Sequence, residues 1–243
     1  MIPDAPSEPP ADSEPLPTSV VRAARLRTIR RNSSLLGLAV GVFGATFGVL
    51  ASESGLSTPQ TMVMSALVFT GASQFTAVSV VAAGGTALTA IVSALLLALR
   101  NGVYGMSISG RITARGWRRW VAAQLVLDES TAMTVVEQDE VAANVAFWWT
   151  GVSVFVCWNA GTLLGVVAGN AIGDPASLGL DAAFPAGFLS LMMPQLRDTT
   201  KRTAALLGAT VAAVAIPLVR PGLPVLLAAP MAVVALAATR RHR

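Results

Sequence analysis

Three groups of side chains in this 243-residue chain could do chemistry: the run Gly71-Ala72-Ser73-Gln74, the pair Arg100-Asn101, and the adjacent acids Asp128-Glu129. Enzyme chemistry fits them poorly. Ser73 could be read as a nucleophile on a turn, but the sole histidine, His242, is the penultimate residue. Neither a histidine-based triad nor a multi-histidine metal site can be built from it. Cys157 is the sole cysteine, which excludes an intrachain disulfide or a cysteine cluster. Asp128 and Glu129 are neighbours, so on a helix they point about 100° apart and do not face each other as an acid/base dyad would. No catalytic residue, metal or cofactor is expected.

What the three groups share is their setting, because each interrupts an apolar run. Hydrocarbon cannot hydrogen-bond a broken backbone or solvate a charge, so such residues belong in protein-lined cavities rather than against lipid. The chemistry they allow is the binding and passage of a polar solute. Bulk composition agrees: 53% of residues are hydrophobic and 12% charged, with a mean hydropathy of +0.64. A soluble domain carries about 25% charged residues. The net charge of +4 does not mark a nucleic-acid binder, because the arginines flank apolar segments instead of forming one basic face. The expected environment is the lipid bilayer of a bacterial cytoplasmic membrane.

Eight apolar segments can carry these residues: 33–51, 60–83, 85–109, 120–136, 143–169, 182–194, 203–219 and 222–239. At roughly 20 residues per span, six to eight membrane segments fit. The preceding stretch, residues 1–21, is rich in proline and acids and lacks the basic start and apolar centre of a signal peptide, so it reads as a disordered cytoplasmic tail. Arg22, Arg25, Arg27, Arg30 and Arg31 then place the start of the first span on the cytoplasmic side. If all eight segments crossed, the loop holding Arg111, Arg115, Arg118 and Arg119 would face outward. Letting segment 60–83 re-enter near Gly71–Gln74 returns that loop to the arginine side and sends the acidic run Glu137–Glu140 outward. Letting 182–194, with Pro185, Gly187 and Pro194, re-enter as well makes six crossings, with the Arg240–Arg243 tail inside.

A weak repeat supports this count. Gly44-x-x-x-Gly48-Val49-x-Ala51 recurs as Gly161-x-x-x-Gly165-Val166-x-Ala168, and Gly71 and Gly187 stand at nearly the same offset. The expected fold is therefore all-α, a polytopic helical bundle with two broken or re-entrant helices. It is organised as a membrane domain, 22–243, of two inverted copies, 33–140 and 143–240, with the breaks meeting near the midplane.

In that frame the residues take roles. The break at Gly71, Ser73 and Gln74 offers a hydroxyl, an amide and half-helix ends to the polar head of a solute. Arg100 lies about ten residues, or roughly 15 Å, from its end of the span, too deep for easy snorkelling. Its partner is Asp128, Glu129 or a substrate carboxylate. The acids fall within segment 120–136 and could couple an ion; the alternative is an amphipathic surface helix, Trp117–Glu140. Phe188, in the second break, would line an apolar wall. Trp117, Trp120, Trp148 and Trp149 suit the membrane interface, and Trp158 suits packing.

The ordered set Gly44-x-x-x-Gly48, Glu53-Ser-Gly-Leu-Ser57, Ser65-x-x-Val-Phe-Thr-Gly-Ala-Ser-Gln-Phe75, Leu99-Arg100, Leu127-Asp-Glu-Ser130, Trp158-x-x-Gly161, Asp174-Pro175 and Pro185-Ala-x-Phe188 resembles the AzlC-like family, large subunits of branched-chain amino-acid exporters. The resemblance covers about 33–200. It implies export of branched-chain or other hydrophobic amino acids. On the reading of the breaks and buried charges, the substrate would be held at Gly71, Ser73, Gln74, Arg100, Asn101 and Phe188. It also implies a small membrane partner of the AzlD type. Ala98 and Asn101 stand where the family pattern has asparagine and histidine flanking the arginine. The competing expectation is a membrane scaffold that transports nothing, with its buried polar groups fixing helix register.

Overall fold

The structure, a computed structural model, describes residues 18–172, 189, 193, 195–220 and 222–240. Most of the tail, the second break with Pro185, Gly187, Phe188 and Pro194, and residues 241–243 lie outside the described residues. Among those described, all regular structure is helical: α1 (Thr18–Glu53), α2 (Thr58–Leu67), α3 (Ala72–Ala82), α4 (Ala87–Ile108), α5 (Arg118–Gln124), α6 (Asp128–Val135), α7 (Glu140–Ile172), α8 (Thr199–Ala215), α9 (Leu223–Ala228) and α10 (Met231–Arg240). A 3-10 turn, Gln195–Arg197, precedes α8. Residues 18–21, placed in the tail by composition, are the first turn of α1.

Helices α1, α4 and α7 are long and apolar enough to cross a membrane. Local chemistry sets their ends. Helix α1 stops where Gly55 takes a left-handed φ of +83° and the Leu56 amide bonds back to the Ala51 carbonyl at 3.0 Å. Ser57 then starts α2, with the Gln60 side chain accepting from the Ser57 amide at 2.9 Å and Pro59 in the first turn.

The central pair is α1 with α7, and the two run parallel. The Ser33 and Thr150 hydroxyls lie 2.8 Å apart and are 117 residues apart in sequence; Ser52 donates to Asn170 at 2.7 Å across 118. A constant offset is the signature of parallel helices. Small residues allow the approach: a methyl added at Gly161 would fall on the Gly41 carbonyl, and one at Gly165 on that of Ala45. The weak repeat is therefore real as a packing register, but it corrects the inverted arrangement. Parallel α1 and α7 require an even number of crossings between their starts, whereas three were expected.

The even count follows from a second correction. Helix α4 runs back toward the start of α1, since Arg111 at its end donates to the Glu137 carbonyl at 2.9 Å and Glu137 binds Arg25 at 2.8 Å. With α4 about 33 Å long, its beginning reaches the far face. Helix α3, joined to it by a tight turn, must end there too, and α2 starts there. Segment 58–82 thus enters and leaves by one face, as the re-entrant reading expected.

Segment 120–136, expected to cross, does not. Helix α5 rises from the arginine face, and the chain reverses at Leu125–Leu127, where Leu125 meets Gly151, about a third of the way along α7. Helix α6 then returns to the same face. The acidic run consequently lies with the arginines, not opposite them: Glu137 pairs with Arg25 and Asp139 with Arg22, the latter at 3.5 Å.

The last described elements form a helical hairpin, with Gly208 of α8 close to the Ala228 carbonyl. Its turn packs at the α3–α4 end, where Ser93 donates to the Gly222 carbonyl at 3.4 Å. The ends bearing Arg202 and Arg240 therefore lie away from that turn.

Candidate functional site

Two half-length hairpins, α2–α3 from one face and α5–α6 from the other, meet tip to tip beside α7. Each tip is a break with a local cause. In the first, Val68–Gly71 leaves the helix, and Gly71 takes φ +62° as the N-cap of α3, a value that disfavours any residue with a Cβ. In the second, extended Leu127 precedes α6, and the Ser130 hydroxyl accepts from the Leu127 amide at 2.9 Å. The tips touch through Gln124, whose amide donates to the carbonyls of Ala66 at 2.9 Å and Leu67 at 3.2 Å. These are among the last carbonyls of α2, which have no partner within their own helix.

Gln74 holds the first break together. It is wholly buried; its Oε1 accepts from the Gly71 amide at 3.2 Å and its Nε2 donates to the Met64 carbonyl at 3.1 Å. In this conformation its amide is committed to the chain. Ser73, also buried, has a hydroxyl with no partner, as has the Thr70 hydroxyl. An aromatic cluster backs the break. Trp158 stacks on Phe47 at 5.9 Å, meets Phe75 edge-on at 6.0 Å, and has its ring against Gly71. Its indole Nε1 is buried without a partner.

Arg100 stands at the same depth. Gly71 is eleven residues before the end of α3 and Arg100 thirteen residues into α4, about 17 and 20 Å from their shared turn. Of the three candidate partners it takes Asp128, Nη1 to Oδ2 at 3.0 Å, while its Nε has none. Tyr104, one turn further along α4, lies against the same carboxylate. Glu129 is half-buried beside the pair, and the Asn101 Oδ1 and Thr131 Oγ1 are buried without partners. The Asp128 and Glu129 pair therefore sits in the first turn of a half-helix, neither in mid-span nor on a surface helix.

The structure thus joins Gly71, Ser73 and Gln74 at one break, and Arg100 with Asp128, Glu129 and Asn101 beside it. Phe188 lies outside the described residues. Thr70, Tyr104, Gln124 and Thr131, which sequence reasoning did not single out, also lie at the breaks or beside the ion pair, while Trp158 packs in the core as expected. One signal for the second break was legible: two acids followed by a serine after apolar Leu127 is a helix-start pattern, because acids favour the positive helix N-terminus. Two open clefts of about 450 and 650 Å³ lie on the arginine face, lined by residues such as Trp148 and Arg25, and neither touches the breaks.

Fold and site together define a multi-helix membrane protein in which two hairpins from opposite faces carry polar groups at their tips. Residues 36–172, more than half of the chain, match the AzlC protein family, and the chain belongs to that family. It is 29% identical to the inner membrane protein YgaZ of Escherichia coli over 67% of this chain and 71% of that one. It is 32% identical to an uncharacterized membrane protein of Archaeoglobus fulgidus over 68% of this chain and 73% of that one. A membrane protein of Helicobacter pylori is 26% identical over 73% and 78%. No solved structure matches the chain.

Proposed function

We propose that this protein is the large subunit of a secondary transporter that exports branched-chain or other hydrophobic amino acids across the bacterial cytoplasmic membrane. One observation carries the reading: buried polar atoms without partners lie on the two breaks, at Thr70, Ser73 and Thr131, and on the helices packed against them, at Arg100, Asn101 and Trp158. A group whose role was to fix register would be satisfied, as Gln74 and Gln124 are. Unsatisfied groups at mid-depth fit a site that a polar ligand completes. The apolar surroundings supplied by Phe47, Phe69 and Phe75 favour a ligand with an aliphatic side chain. The Arg100–Asp128 pair forms one wall, with Glu129 placed to take up a proton or cation. The arginine-rich face is cytoplasmic, because clustered arginines resist translocation.

Membership of the AzlC family supports a small membrane subunit of the AzlD type as partner. The deciding experiment is efflux of labelled leucine, isoleucine and valine from proteoliposomes holding this chain, with and without that subunit. Export above the empty-vesicle rate supports the reading. Its absence in both preparations leaves the scaffold alternative.

A further inference from the structure

Around the start of α3 the unpartnered buried groups share one chemistry. The Trp158 indole can only donate a hydrogen bond, and the Ser73 and Thr70 hydroxyls can donate as well. Ser73 and Trp158 are almost wholly buried, at 1% and 3% exposure. Thr70 and Ser73 stand within two residues of Gly71 in the chain, and the six-membered ring of Trp158 packs against it. Gly71 is the N-cap of an eleven-residue helix whose dipole favours negative charge; its own amide is held by the Gln74 side chain and the Gln74 amide by its carbonyl. Polar groups nearby are satisfied: the Ser65 hydroxyl donates to Thr162, Thr162 to the Trp158 carbonyl, and Thr76 to the Ala72 carbonyl. Around this break the unmet hydrogen-bonding capacity is therefore carried by these three side chains. It consists of donors, and what donors with a helix N-terminus recognise is an anion with several acceptor oxygens. Arg100 is a weaker claimant, since one of its amines already holds Asp128.

We propose that Thr70, Ser73 and Trp158, with the first turn of α3, form the subsite for the substrate's carboxylate. This rests on the amino-acid reading above and specifies which end of the molecule goes where. The stacked and edge-on contacts with Phe47 and Phe75 hold the indole in place before the ligand arrives, so little side-chain freedom is lost on binding.

Calorimetric titration of the full chain in detergent tests this with three probes: leucine, isocaproate (its carboxylate without the amine) and isoamylamine (its amine without the carboxylate). Trp158→Phe and Ser73→Ala should each weaken leucine and isocaproate about tenfold or more, the scale of one hydrogen bond to a charged group. Isoamylamine should bind as before. Unliganded melting should not fall in Ser73→Ala, because the atom removed has no partner in the protein. Unchanged binding of both carboxylates in the variants overturns the subsite while leaving the amino-acid reading intact. Isocaproate binding that the variants lose, without any leucine binding, supports the subsite and sinks the amino-acid reading. If the wild-type chain binds neither carboxylate, alone or together with the small subunit, both fall. Should Trp158→Phe fail to fold, Ser73→Ala decides by the same titration.

Discussion

Gln124, at the tip of one hairpin, donates its side-chain amide to the Ala66 carbonyl of the other at 2.9 Å. This bond joins two elements that enter from opposite faces, and it caps a partly exposed helix end whose last carbonyls have no helical partner. Replacing Gln124 with leucine keeps the bulk but strands the carbonyls of Ala66 and Leu67. The expected loss is about 1 kcal/mol of folding stability, the net scale of a partly buried hydrogen bond. Unfolding in detergent would register it, and an unchanged midpoint would show that the tips do not depend on the contact.

Removing Arg100 leaves the Asp128 carboxylate, a partly exposed group at 44%, without its counter-charge. Arg100→Ala should lower folded yield or export about tenfold, and adding Asp128→Asn should restore much of the yield, because the uncompensated charge is then gone. Yield and efflux are measured on the single and double variants. Full export by the single variant would mean that the pair plays no part.

The parallel helix pair makes a sharp contrast between two glycines. Gly161→Ala should cripple folding, since its methyl falls on the Gly41 carbonyl. Gly102→Ala on α4 meets nothing within 4 Å and should be neutral or stabilise by up to about 1 kcal/mol. Comparable expression of both would overturn the close α1–α7 register.

Topology is testable by single-cysteine labelling in a Cys157→Ala background. Cysteines at Ala114 and Gln138 should react from the same side of the membrane, since both loops lie on the arginine face. Cysteines at Ser57 and Thr86 should react from the other. Opposite labelling of Ala114 and Gln138 would restore the crossing of segment 120–136.

Much of this fold was legible from composition and interruption. Apolar runs around Leu38 and Val152 can be stable only as helices in hydrocarbon. The glycine and amide at Gly71–Gln74 marked a break, because no continuous lipid-facing helix needs a positive φ. Arg100 within an apolar run required a partner. Family membership, too, could be recognised from ordered local motifs.

Direction and partnership were not legible. The glycine repeat specifies that two helix faces can approach closely, but the same small residues serve parallel and antiparallel pairs; only the tertiary register made α1 and α7 parallel. Segment 120–136 has the length and hydrophobicity of a short span. Its reversal at Leu127 depends on Leu125 packing against Gly151 and on Gln124 meeting Ala66, contacts between residues far apart in the chain. Asp128 and Glu129 are equal candidates for Arg100 by type, and the placement of α6 against α4 chose Asp128. Residue type sets what a side chain can donate or accept. Whether a partner stands within 3 Å is decided by how the helices pack.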